Sequence, residues 1–111
     1  SIINENQVDL DTGTISPSSV LSDLLFTLDG KSYKLSPING AGLQLFGDQV
    51  PEFNDCRNAL VSADPITFDG IQSDTYMCFR TNQGLPGRLH LLSFDDVSDS
   101  LKIDFLTWSL P

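Results

Sequence analysis

Between Thr75 and Trp108 three runs of alternating apolar and polar residues follow one another closely: TYMCFRT, RLHLLSF and LKIDFLTW. A period of two is the mark of a strand with one face in a core. The runs are separated by NQGLPG and DDVSDS, both rich in turn-forming residues. Connections this short join antiparallel neighbours, so the segment predicts a β-meander and places the chain in the all-β class.

Upstream, Val8 and Leu10 alternate with polar residues in QVDLDT, and Thr12-Gly13 ends that short strand. The loop SPSS leads to SDLLFTL (Ser22–Leu28), and Asp29-Gly30 signals a hairpin into KSYKLS (Lys31–Ser36). AGLQLFG reads as a further short strand, and so does Ile66-Thr67-Phe68. One helix is predicted, near residues 53–62: PEFNDCRNALVSA sets Phe53, Cys56, Leu60 and Val61 at helical spacing, with Asn54 or Asp55 as cap. The whole, residues 1–111, is expected to form a single β-sandwich or open barrel of seven or so antiparallel strands.

In the simplest meander registers, Phe79 faces His90 and His90 faces Phe105. Met77, Phe79, His90, Leu92, Phe94, Leu101, Ile103 and Phe105 then share the core side. Tyr76, Cys78, Arg80, Leu91, Asp104, Leu106 and Trp108 share the other. That second face is mixed in character, so a cover is expected over it, and the helix bearing Cys56 is the natural one. A slip of one residue would exchange the faces.

Size and charge narrow the function by exclusion. At 111 residues the chain is long enough for one self-sufficient core. Its net charge is −9, and its six Lys and Arg include no adjacent pair. Without a basic patch, nucleic acid and anionic membrane surfaces are not expected partners. No apolar run is long enough for a spanning helix. SIINENQ lacks the features of a signal peptide, so export would imply a removed leader or a longer parent chain.

Cys56 and Cys78 both sit in apolar neighbourhoods. Joined, they would close a loop of about 23 residues, worth roughly 3 kcal/mol in the chain-entropy model. A disulfide is the expected state, with two separate buried thiols as the alternative. Two cysteines and one histidine make no structural zinc site.

Four constellations carry possible chemistry. Asp11-Thr12-Gly13, after a hydrophobic approach, resembles the active-site motif of aspartic proteases, and at this length the chain resembles a retropepsin half that dimerises to complete its dyad. The second motif of that family is missing: the C-terminal region reads IDFLTWSLP, and no glycine follows Gly87. Clustered acids form the second constellation, with Asp95, Asp96 and Asp99 in one turn and Asp9 and Asp11 alternating on one strand. Ca²⁺ wants several such oxygens converging, but the spacing matches no EF-hand, and solvated acids are the expectation; no metal ligand is assigned. His90 lacks a partner nucleophile in sequence and reads as a core or half-buried residue. Tyr33, Tyr76 and Trp108 are aromatics that could stack on a sugar ring, with Arg80 and Asn82 as polar companions.

The stretch from Tyr76 to Trp108 also resembles an uncharacterised family of secreted or surface-exposed bacterial β-sandwich modules. The resemblance is carried by Tyr76, Cys78, Arg80, Thr81, Asn82 and Gly84, then Gly87, Arg88 and Leu89, and finally Thr107-Trp108. LDTGT followed by SDLLF fits the start of that pattern. The likeness implies an accessory module, often at the end of a longer protein; it supports the disulfide and implies no catalytic residue.

The expectation is therefore a non-catalytic extracellular or cell-surface module without cofactor, binding a surface glycan or another polymer through Tyr33, Arg80, Asn82 and Trp108. A retropepsin-like half using Asp11 is one alternative, and a protein-interaction domain offering a sheet edge is another.

Overall fold

The alternation read along the chain resolves into two stacked antiparallel sheets. In this computed structural model residues 2–3, 6–13, 15–16, 22–29, 32–69, 75–95 and 100–108 are described. Among them the elements run β1 (Ile2–Ile3), β2 (Gln7–Val8), β3 (Ile15–Ser16), β4 (Leu24–Asp29), β5 (Ser32–Pro37), β6 (Gly42–Gly47), α1 (Phe53–Arg57), β7 (Ile66–Asp69), β8 (Thr75–Arg80), β9 (Pro86–Asp95) and β10 (Ser100–Thr107). One sheet has the order β1-β10-β9-β8-β6 and the other β3-β2-β4-β5-β7. The fold is all-β, a sandwich with one short helix. The two strands that sequence periodicity does not reveal, β1 and β3, are two residues long, too short to alternate.

The core lies between the sheets. Val8, Leu10, Leu24, Phe26, Tyr33 and Leu35 come from one side; Leu43, Met77, Phe79, Leu89, Leu91 and Leu101 come from the other. In β5 the burial alternates strictly, with Tyr33, Leu35 and Pro37 inward and Lys34 exposed. The Tyr33 ring meets Phe26 edge-on at 6.2 Å.

The meander exists, but its registers differ from the simplest ones. Tyr76, not Phe79, faces His90, and Phe79 faces Gly87. The cause is the turn. Thr81 Oγ1 accepts the N–H groups of Gln83 and Leu85, and the Thr81 N–H donates to the Leu85 carbonyl at 2.9 Å. The loop therefore closes at Leu85, and Pro86 and Gly87 belong to the strand. In the second hairpin Phe94 faces Leu101, as the simplest register has it, but a bulge between Lys102 and Ile103 shifts the rest, so that His90 faces Asp104. Leu89 and Leu91 thus point into the core, and His90 moves to the outer face, against its expected place between phenylalanines. The side chain of Phe94 lies outside the described residues.

Helix α1 is shorter than expected, ending at Arg57 instead of near residue 62. The Asp55 carboxylate accepts the Glu52 N–H at 2.8 Å and so closes the first turn. Beyond the helix Leu60 is 85% exposed, and Ser62 exchanges two backbone hydrogen bonds with Leu43. That β-bridge draws the chain out of the helical path. Val61 packs over Gly42 at a distance that leaves no room for a Cβ there.

Cys56 and Cys78 form a disulfide, with their Cα atoms 4.9 Å apart. Cys78 lies on β8 and both cysteines are fully buried. The bond thereby pins α1 to the sheet, as the mixed outer face of the meander requires.

Candidate functional site

Two places bring chemistry-bearing side chains together. The first is a turn cluster at one end of the sandwich. After β2 the chain turns through residues 9–13, closed by the Gly13 N–H donating to the Asp9 carbonyl. Gly13 has φ +80°, a conformation suited to glycine. Within the turn the Asp11 N–H donates to Asp9 Oδ1 at 2.9 Å, an Asx-type bond that Asp forms readily.

Asp23 enters from the head of β4. Its N–H donates to the Val8 carbonyl at 2.8 Å, and its carbonyl accepts the Ile38 N–H at 2.9 Å. The Asn39 side-chain amide donates to the neighbouring Ser22 carbonyl at 2.8 Å. So fixed, the Asp23 carboxylate accepts the Leu10 N–H at 2.7 Å and the Asn82 N–H at 2.6 Å. Thr107 Oγ1 donates to the Leu10 carbonyl, tying the end of β10 to the same turn.

The result is three carboxylates, Asp9, Asp11 and Asp23, whose oxygens lie within 4.8 Å of one another. Asp9 is 6% exposed and Asp23 fully buried. Both Asp11 oxygens are buried and have no hydrogen-bond partner among the described residues. Burial pushes the Asp23 carboxyl up to about 6, with the charges of Asp11 and Asp9 adding to it and the N–H groups of Asn82 and Leu10 opposing it. Two like charges about 5 Å apart repel by about 3 kcal/mol at an effective dielectric constant of about 20. Converging hard oxygen donors of this kind suit Ca²⁺ or Mg²⁺.

The second place is the outer face of the meander. Tyr76 and His90 face each other across β8 and β9, their rings stacked at 4.2 Å and 11°. Asp104 is the next residue in that cross-strand row. With Val50, Arg88, Phe105 and Leu106 they line a shallow depression of about 120 Å³. The Arg88 guanidinium lies 5.8 Å from the Trp108 ring centre, and Phe53 of α1 meets the same ring edge-on at 5.5 Å.

Neither the protein-family models, nor the curated proteins, nor the solved structures contain a match to this chain.

The four residues expected to bind are not gathered in one place. Tyr33 is 1% exposed, a core ring, which corrects its reading as a surface aromatic. Its neighbour in the strand, Lys34, is exposed, and that parity was the available signal. Arg80 donates to the Arg57 carbonyl at 2.8 Å, satisfying a carbonyl at the end of α1. Asn82 belongs to the acid cluster through its backbone N–H. Of the four, Trp108 alone comes near the outer depression, through its contact with the lining residue Arg88. Of the acids singled out in sequence, Asp9 and Asp11 converge, and Asp23 joins them without any local signal to announce it. Asp96 and Asp99, and the side chain of Asp95, lie outside the described residues, as does the loop at 17–19.

Proposed function

We propose that this chain is a non-catalytic extracytoplasmic binding module whose outer meander face takes a surface glycan. The observation that carries the reading is the half-buried Tyr76–His90 stack, flanked by Arg88 and Asp104 around a shallow depression, with the Trp108 ring against Arg88. Flat aromatic surface beside charged hydrogen-bonding groups suits a sugar ring, which has an apolar face and a polar rim. Enclosed small-molecule sites run to about 300–1,000 Å³, and this depression is well below that, so an extended polymer lying across the sheet fits better. The disulfide supports an oxidising compartment. Among the described residues no helix is long and apolar enough to cross a membrane. The likeness of the Tyr76–Trp108 stretch to surface-exposed modules agrees with this placement.

A glycan array followed by calorimetry tests the reading. Binding should appear with the wild type and be lost in Tyr76→Ala and Arg88→Ala variants that keep the wild-type circular dichroism. A wild type blind to every glycan class, or variants that bind unchanged, would remove the proposal.

Two other readings have a place in the geometry. Strand β6 is an edge, with Leu45 55% and Phe46 41% exposed, a surface able to accept a partner strand. Concentration-dependent self-association in sedimentation would favour it. An aspartic-protease half would be built on Asp11. Its oxygens are buried among acids of its own chain, an arrangement that does not present them to a second copy, and the non-catalytic reading is preferred for that reason.

A further inference from the structure

We propose that Asp9, Asp11 and Asp23 form a binding site for a hard divalent cation, Ca²⁺ above all. The proposal is independent of the glycan surface, which lies on other residues. It rests on two observations. Three carboxylate oxygens from two separate segments converge within 4.8 Å, the spacing of ligands around one ion. Both oxygens of Asp11 are also buried within that convergence without a hydrogen-bond donor among the described residues, although buried polar atoms are normally satisfied.

The chemistry of the donors selects the ion. All are carboxylate oxygens, with no histidine or thiolate among them, which disfavours zinc and the later transition metals. The cysteines are spent in the disulfide. Mg²⁺ demands a regular octahedron and keeps much of its water, whereas Ca²⁺ accepts irregular sets of six to eight oxygens and bidentate carboxylates. Asp11, with both oxygens free, is suited to bidentate ligation. Asp23 is already held by the N–H groups of Leu10 and Asn82, which orient it as an outer shell orients a metal ligand. Asp9 is oriented in the same way by the Asp11 N–H.

Occupation would neutralise the mutual repulsion of the three acids. It would also clamp the turn after β2 to the head of β4, and through Asn82 to the β8–β9 turn. A cation here is therefore a fold-stabilising ligand, with an affinity expected in the range of extracellular modules, a dissociation constant of about 10⁻⁴–10⁻³ M.

The test uses the intact chain after EDTA treatment, at pH 7.5, titrated with CaCl₂ and separately with MgCl₂, and read by calorimetry and thermal melting. Ca²⁺ should bind at one site and raise Tm, with Mg²⁺ at least about tenfold weaker. Asp11→Asn should weaken Ca²⁺ at least about tenfold and remove the Tm shift, while raising Tm above wild type in EDTA because a repelling charge is gone. Asp96→Asn, in the separate acidic run DDVSDS, should leave both readouts as in wild type. Wild type showing neither heat nor a Tm shift up to about 10 mM Ca²⁺ overturns the proposal, since that exceeds the expected dissociation constants. An Asp11→Asn protein that keeps the full shift, or an Asp96→Asn protein that loses it, overturns it equally. If Asp11→Asn fails to fold, Asp9→Asn and the wild-type titration decide the matter.

Discussion

The Asp23 carboxylate accepts the Asn82 backbone N–H at 2.6 Å, joining the head of β4 to a turn 59 residues further along the chain. With its second oxygen it accepts the Leu10 N–H, so one buried side chain fastens the turn after β2, the head of β4 and the β8–β9 turn. An apolar replacement would leave two N–H groups without an acceptor, each costing about 1–3 kcal/mol if buried. The carboxylate is thus both a structural acceptor and a buried charge.

A pH dependence follows from that double role. Burial first, and then the neighbouring acids, raise the Asp23 pKa from 3.8 to about 6 in the folded chain. Below 3.8 the group is protonated folded and unfolded, and no penalty exists. As pH rises toward 6 the unfolded chain gives up its proton more readily, so folding loses stability, by about 3 kcal/mol in all. Urea denaturation in EDTA checks this: the stability of wild type minus that of Asp23→Asn should fall by about 2 kcal/mol between pH 4 and pH 7, most of the full effect. Parallel profiles for the two proteins would contradict the burial of a titrating Asp23.

Gly87 is placed against the ring of Phe79, its partner across β8 and β9. A Cβ at residue 87 would overlap the ring and stand 2.6 Å from the Leu106 carbonyl oxygen. Gly87→Ala should therefore destabilise by about 1–3 kcal/mol, the usual cost of overfilling a packed site. Phe79→Leu should cost stability alone yet recover part of the loss when combined with Gly87→Ala, a non-additivity that a double-mutant cycle measures.

Reduction of Cys56–Cys78 should lower unfolding stability by roughly 3 kcal/mol, the entropy of a 22-residue separation released in the unfolded chain. The native effect should be local. Hydrogen exchange should speed up first in Phe53–Arg57, whose remaining ties include the Arg80–Arg57 hydrogen bond and the Phe53–Trp108 contact. Uniform loss of protection across both sheets would show instead that the bond supports the whole sandwich.

Tyr33 and Tyr76 separate core from surface. Tyr33→Ala, emptying a fully buried site beside Phe26, should cost about 3–5 kcal/mol. Tyr76→Ala, at a half-buried outer position, should cost about 1 kcal/mol. If glycan binding is found, a conservative Tyr33→Phe should leave it intact while Tyr76→Ala removes it. Comparable stabilities for the two alanine variants would place Tyr33 elsewhere than in the core.

The class of fold was legible from Thr75 onward, because a period of two survives wherever one strand face is buried. β4 and β5 were equally plain, and the disulfide was the expected state of the two cysteines, with separate buried thiols as the alternative. The faces of β9 were not. Which parity points inward depends on where the preceding turn closes, and Thr81 closes it at Leu85 through hydrogen bonds that also admit other turn lengths. The Lys102–Ile103 bulge then shifts the pairing of β10 by one residue. Helix α1 stopped early for a related reason: Ser62 pairs with Leu43, a contact 19 residues back that overrides local helical spacing. Of the acid cluster, Asp9 and Asp11 were visible as neighbours in one strand, and Asp23 was not.

By itself, then, the order of residues determined what is local: which segments alternate, where turns are permitted, and which two sulfurs are available. Tertiary structure decided which parity of β9 enters the core, which aromatics stay at the surface, and which acids converge. Those outcomes depend on contacts between residues far apart in the chain, and no window of neighbouring residues contains the energy that selects among them.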